Sequence, residues 1–144
     1  EIEQGATILY YLRYIWVVTE EIKAAGGVPY RERVGHSYIK AALREQKAVF
    51  GGELSGHYYF RDNYCSDSGM IAFLTVLGLL SAKRTPFSSF VMPLKRYYAT
   101  GELNFEVDDK DAKIDEIVKK FATGKVDRLD GVTVEFNDWW FNVR

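Results

Sequence analysis

The sequence predicts an α/β fold: a mixed, largely parallel sheet with crossover helices, followed by a smaller, truncated α+β unit. Three observations lead there. Strand-like and helix-like segments alternate from residue 6 to residue 61. The charge balance inverts near Arg96: residues 1–96 carry 12 Lys and Arg against 9 Asp and Glu, while residues 97–144 carry 7 against 11. Beyond Tyr97 the pattern ends in two short strands joined by a tight turn. The expected division is therefore an α/β domain over residues 1–96 and an α+β unit over 97–144.

In order, residues 6–12 (ATILYYL) are apolar and β-prone and read as a buried strand. Residues 16–25 carry Trp16, Val17, Val18, Ile22 and Ala25 with Glu20, Glu21 and Lys23 opposite, an amphipathic helix that Gly26-Gly27 ends. Residues 28–33 form a short strand, and 37–46 (SYIKAALREQ) an amphipathic helix. Residues 48–51 and 57–61 (HYYFR) are two more strands. Asp67-Ser68 can cap a long helix reaching Ala82, and Pro86 suits the first turn of a second, short one. Residues 102–107 alternate as a strand, 109–122 form a charged helix closed by Gly124, and 132–136 and 139–143 pair across Asn137-Asp138.

Composition excludes several classes. Of 144 residues 47% are hydrophobic and 27% charged, which places the chain among globular proteins and not disordered ones. A net charge of −1 gives no whole-chain attraction to nucleic acid or to an anionic membrane. Cys65, the one cysteine, cannot form an internal disulfide or build a zinc site alone, which fits a reducing compartment. No metal centre or cofactor is expected. Glu1-Ile2-Glu3 does not open as a signal peptide does. The longest uncharged run, residues 68–82, has 15 residues and falls short of the ~20 that cross a bilayer.

The most informative segment is Gly51-Gly52-Glu53-Leu54-Ser55-Gly56-His57. Its glycines let backbone approach a ligand. In an extended loop Glu53, Ser55 and His57 would point the same way, and a carboxylate, a hydroxyl and an imidazole suit sugar hydroxyls. On spacing alone a glycine turn with surface polar residues explains the segment as well.

GGELSGHYYFRDN, with Arg33-Val34-Gly35-His36-Ser37-Tyr38-Ile39-Lys40, resembles the third domain of the α-D-phosphohexomutases (phosphomannomutase/phosphoglucomutase), and LDGVTVEFNDWWFNVR at 129–144 resembles the start of that family's fourth domain. The resemblance covers essentially the whole chain. It implies that Glu53, Ser55 and His57 grip sugar hydroxyls and that His36, Lys40 and Arg13 border the same cleft, in a family expected in the cytoplasm. The family's phosphoserine loop, its Asp-x-Asp-x-Asp metal loop (Asp108-Asp109-Lys110-Asp111 does not match) and its Ser-Asn-Thr-Glu-Pro loop are not found in the chain. Without them phosphoryl transfer has neither nucleophile nor charge neutralisation, so the expectation is a chain that is not an enzyme.

Other departures concern aromatic surface. Where the family has small or acidic residues after the first strand, this sequence reads Tyr11-Leu12-Arg13-Tyr14-Ile15-Trp16. Exposed, such a loop has the composition of a binding hot spot. The run 68–82 has no charge on its would-be outer stripe of Ile71, Thr75, Gly78 and Ala82, so it is covered on both sides or bare for a partner. Gly78 costs about 1 kcal/mol against Ala in mid-helix, which points to a close backbone neighbour or a trimmed surface. Charge is likewise missing over 88–92. The leading expectation is an engineered binding module in which Tyr11, Arg13, Tyr14, Ile15, Trp16, Phe73, Phe90 and Met92 contact a protein partner. Arg13 among aromatic rings complements an acidic cleft such as that of a glycoside hydrolase, which the module would inhibit. The alternative is a natural phosphohexomutase fragment that binds sugar phosphate weakly, and a third reading is a domain without independent activity.

Overall fold

The computed structural model describes residues 3–11 and 15–144, Ile15 by its backbone, in two units, Glu1–Tyr98 and Ala99–Arg144. In the first, β1 (Thr7–Tyr11) lies between β2 (Val28–Glu32) and β3 (Phe50–Gly52) and is parallel to both. Parallel neighbours require a crossover, and α1 (Ile15–Ala24) and α2 (His36–Glu45) supply the two. Then β4 (Tyr58–Phe60) runs antiparallel to β3, and β5 (Ser66–Asp67) antiparallel to β4, in the order β2-β1-β3-β4-β5. The sheet is thus mixed and partly parallel.

The core is Leu9, Ile39, Ala42, Leu43, Ala48 and Tyr59, with Tyr30 and Cys65 packed against it. Ile39, Ala42 and Leu43 fall three and four residues apart, so α2 turns one apolar face onto the sheet. Gly51 makes that close packing possible: a Cβ there would lie 3.3 Å from both Ile39 Cγ2 and Leu9 Cβ.

Tyr11 corrects the sequence reading. It ends β1 and is only 7% exposed, so it is core and not display surface. The alternation of β1 sends Leu9 and Tyr11 to the buried side together. Arg13 and Tyr14 lie outside the described residues. Trp16, half-buried on α1, meets the Tyr97 ring edge-on at 5.2 Å. Tyr97 donates its hydroxyl hydrogen bond to Glu20, and Arg96 pairs with Glu20 at 3.0 Å and Glu21 at 2.8 Å. Chain at the end of this unit therefore returns to α1.

α3 (Gly69–Lys83) begins where the sequence puts it. Ser68 Oγ accepts the Ile71 N–H at 3.2 Å, and Arg84, with φ of 52°, ends the helix by donating its N–H to Leu80 O. None of its residues is buried. A Cβ at Gly78 would find no atom within 4 Å, so no backbone among the described residues approaches there. α4 (Phe87–Val91) follows Pro86, and Met92–Leu94 continues as a 3-10 turn.

In the second unit α5 (Lys110–Lys120) is capped by Asp109, whose Oδ1 accepts the Ala112 N–H at 2.9 Å. Strands β6 (Lys125–Asp127), β7 (Val132–Glu135) and β8 (Trp140–Val143) form an antiparallel sheet in that order. Val132, Thr133 and Val134 are its buried centre. Phe121, Phe136, Trp139 and Phe141 cluster beside it, Phe136 stacked on Trp139 at 4.7 Å. The β7–β8 turn closes through the Phe136 N–H to Trp139 O at 2.8 Å. β8 pairs with β7 along one edge and stands last in the sheet. The strand expected over 102–107 is not formed: Leu103 is 63% and Phe105 80% exposed, and alternation without a pairing edge does not make a strand.

Candidate functional site

The site is built around Tyr59, central in β4 and fully buried. Its register opposite Gly51 carries its hydroxyl to the end of α2, where His36 opens the helix. Tyr59 donates its O–H to Glu53 Oε1 at 3.2 Å and stands 2.7 Å from His36 Nδ1. Since that proton is committed to Glu53, the hydroxyl oxygen accepts from His36 Nδ1–H.

Glu53 heads the turn between β3 and β4. The segment is not extended, as the sequence reading had it. The Glu53 N–H donates to His57 O at 2.9 Å, and Gly56, at φ +85°, takes the left-handed conformation that closes the turn. The three side chains consequently separate. Glu53 folds inward to 9% exposure, Ser55 is exposed and donates to Glu53 Oε2 at 2.9 Å, and His57 turns to Asp67. A carboxylate this buried is tolerable because two hydroxyls donate to it.

His57 Nδ1 lies 2.7 Å from Asp67 Oδ2, and Asp67 Oδ1 accepts the Tyr58 N–H at 3.0 Å. The two imidazoles meet edge to face at 4.4 Å between centroids. They are the chain's only histidines. Burial pushes the Tyr59 hydroxyl well above its ordinary range, with the Glu53 carboxylate adding to it. For Asp67, burial works upward, but hydrogen bonds from His57 and the Tyr58 N–H outweigh it, with the positive character of His57 and His36 in support, so its carboxyl is held below the usual range. Lys40, half-buried, follows His36 by four residues on α2 and so shares its helix face.

Ser55, Glu53, Tyr59 and His36 thus form one hydrogen-bonded chain, and the His57–Asp67 pair meets it through the ring contact of His57 with His36. Lys40 lies one turn along, while Tyr59 and Asp67 are members the sequence reading missed. Asp67 was read only as part of a helix cap; its spacing to His57 across β4 and β5 is a signal that strand pairing alone reveals.

The chain has known relatives. Residues 1–97 match the family described as phosphoglucomutase/phosphomannomutase, alpha/beta/alpha domain III. The chain belongs to that family. It is 38% identical over 143 residues to the phosphomannomutase of Salmonella typhimurium, covering 97% of this chain and 31% of that protein. With the Xanthomonas campestris protein named phosphohexose mutases it shares 33% over 145 residues, 99% of this chain and 32% of the relative. A crystal structure of a phosphoglucomutase/phosphomannomutase family protein from Burkholderia thailandensis superposes with a TM-score of 0.76 at 29% identity, over 95% of this chain and 30% of that one. The chain spans about a third of the length of these relatives.

One expectation is corrected here. The reading of a chain that is not an enzyme fails against a family whose members are named as mutases. It drew on loops missing from a stretch one third of a relative's length, which is no argument against activity. Family likeness carries nothing for the engineered surface. Residues 108–111, which do not match the metal loop that the resemblance implies, supply the cap of α5 through Asp109.

The other residues assigned to protein contact divide. Phe73 is 59% and Met92 71% exposed, while Phe90 is half-buried. No single helix among the described residues is long and apolar enough to cross a membrane, although α3 and Phe87–Leu94 pass that test together with a 99° bend between them.

Proposed function

We propose that this chain is a sugar-phosphate recognition domain of a phosphohexomutase, working in the cytoplasm with its family. The observation that carries the reading is the hydrogen-bonded chain Ser55–Glu53–Tyr59–His36 with the His57 ring against His36 at 4.4 Å, in a protein chain similar to phosphomannomutases along nearly all its length. Sugar hydroxyls both donate and accept, so a site offering carboxylate, hydroxyl and imidazole together satisfies them. Lys40 and Arg13 supply positive charge for the phosphate. Calorimetry of the chain with mannose 6-phosphate tests this. Weak saturable binding is expected, reduced at least tenfold in His57→Ala; binding indifferent to both His57→Ala and Ser55→Ala contradicts it.

A second reading, protein binding, is favoured by one observation: α3 is apolar and entirely unburied. Met70, Phe73, Leu74 and Leu77 are 67%, 59%, 57% and 47% exposed. Such a patch marks an interaction surface, and the occupant proposed is a second copy of this chain. Sedimentation that depends on concentration in the parent and not in Phe73→Glu/Leu77→Glu is expected. A parent that stays monomeric contradicts it. The acidic-cleft expectation rests on Arg13 and Tyr14, which lie outside the described residues.

A further inference from the structure

We propose that His36, His57 and Asp67 form a binding site for a zinc-type divalent transition metal. The chain's only two imidazoles are brought from α2 and the β3–β4 turn to 4.4 Å between centroids, and one ligand atom from each of the three residues lies within 4.8 Å of the others. Bonds of about 2.0–2.1 Å to zinc bring tetrahedral ligands to a little over 3 Å apart. The required closure is small for side chains of which none is buried.

The tautomer suits a metal. Tyr59, donating to Glu53, accepts the Nδ1 proton of His36 and leaves Nε2 as the nitrogen with the lone pair. Glu53 and Tyr59 therefore stand behind His36 as the carboxylate and hydroxyl partners behind metal-bound histidines do, fixing the ring and its tautomer. Asp67 is held through Oδ1 by the Tyr58 N–H. On binding, the proton shared between His57 Nδ1 and Asp67 Oδ2 leaves to solvent, and the freed nitrogen and oxygen become ligands. Two imidazoles and one carboxylate select first-row transition ions over magnesium or calcium and leave open positions for water. The same imidazoles serve the proposed sugar site, so an ion there competes with hexose phosphate; this consequence alone rests on the sugar-binding reading.

The test is a titration of the tag-free chain, stripped with chelator, with Co2+ followed by visible absorption and with Zn2+ followed by calorimetry. A single saturable site is expected, with d–d bands of low coordination number, weakened at least tenfold in His36→Ala and in His57→Ala and less in Tyr59→Phe. Far-UV circular dichroism confirms that each variant folds. Absence of saturable binding overturns the proposal, as does binding unchanged in His36→Ala/His57→Ala or equally tight for Mg2+. Sugar binding measured separately in chelator keeps the two readings apart: zinc without sugar overturns only the function proposed above, and sugar without zinc overturns only this site.

Discussion

Around Tyr59 each buried polar atom has a partner, whereas α3 presents fifteen residues of which none is buried and only the last is charged. The two regions share one unit and are made by opposite means. In the first, a buried tyrosine ties a carboxylate to an imidazole contributed by another element, so that Tyr59 is held by His36 and Glu53, and Glu53 by Tyr59 and Ser55. In the second, helix propensity, the Ser68 cap and the Arg84 terminus are enough to form the element, and tertiary contact adds little. Order at the cluster is the work of tertiary structure, while order along α3 is local.

That contrast can be broken by substitution, beginning where the effect is greatest. Tyr59→Ala empties a fully buried ring position and should cost about 3–5 kcal/mol in urea unfolding. Tyr59→Phe keeps the ring but strands Glu53 Oε1 and His36 Nδ1, for about 1–3 kcal/mol. Ser68→Ala removes the cap of α3 and should cost about 1 kcal/mol. Leu74→Gln, on the bare face, should change stability by no more than about 0.5 kcal/mol. If Leu74→Gln destabilises as much as Tyr59→Phe, α3 is packed against something and the comparison fails.

Acid and base sharpen the same distinction. The Asp67 pKa is lowered in the folded chain, so the unfolded chain binds more protons and stability is lost as pH falls through the folded value, below about 4. The Tyr59 pKa is raised, so its contribution is intact below the unfolded value of about 10 and is lost as pH climbs above it. In chelator, Asp67→Asn should flatten the acid limb and Tyr59→Phe the alkaline limb, whereas Leu74→Gln should leave both unchanged. Denaturant midpoints recorded across pH read all three.

Elements formed by local pattern were legible in the sequence: α2 from its apolar face, α3 from the Ser68 cap, α5 from its charged amphipathic pattern although Asp109, not Asp108 or Asp111, caps it, and the β7–β8 hairpin from Asn137-Asp138. What depends on which strands meet was not. Tyr11 falls both at the end of the strand read over 6–12 and in the aromatic surface read over 11–16 until β1 is placed between β2 and β3, and residues 102–107 read as a strand until no edge pairs with them. The site divides in the same way. Glu53, Ser55, His57 and His36 carry a sequence motif, but Tyr59 and Asp67 enter only through the pairings of β4 with β3 and β5. Gly56 decided the rest, since a left-handed residue turns an extended display into a closed loop.

The central claim is that ligand recognition belongs to the cluster and not to the apolar helix. Backbone amide shifts of the chain, followed by NMR as mannose 6-phosphate is added in chelator, test it most directly. The account predicts saturable shifts at His36, Ser55, His57 and Asp67, with Phe73, Leu74 and Leu77 unmoved. Shifts concentrated along α3, or none at the cluster at saturating ligand, would contradict it.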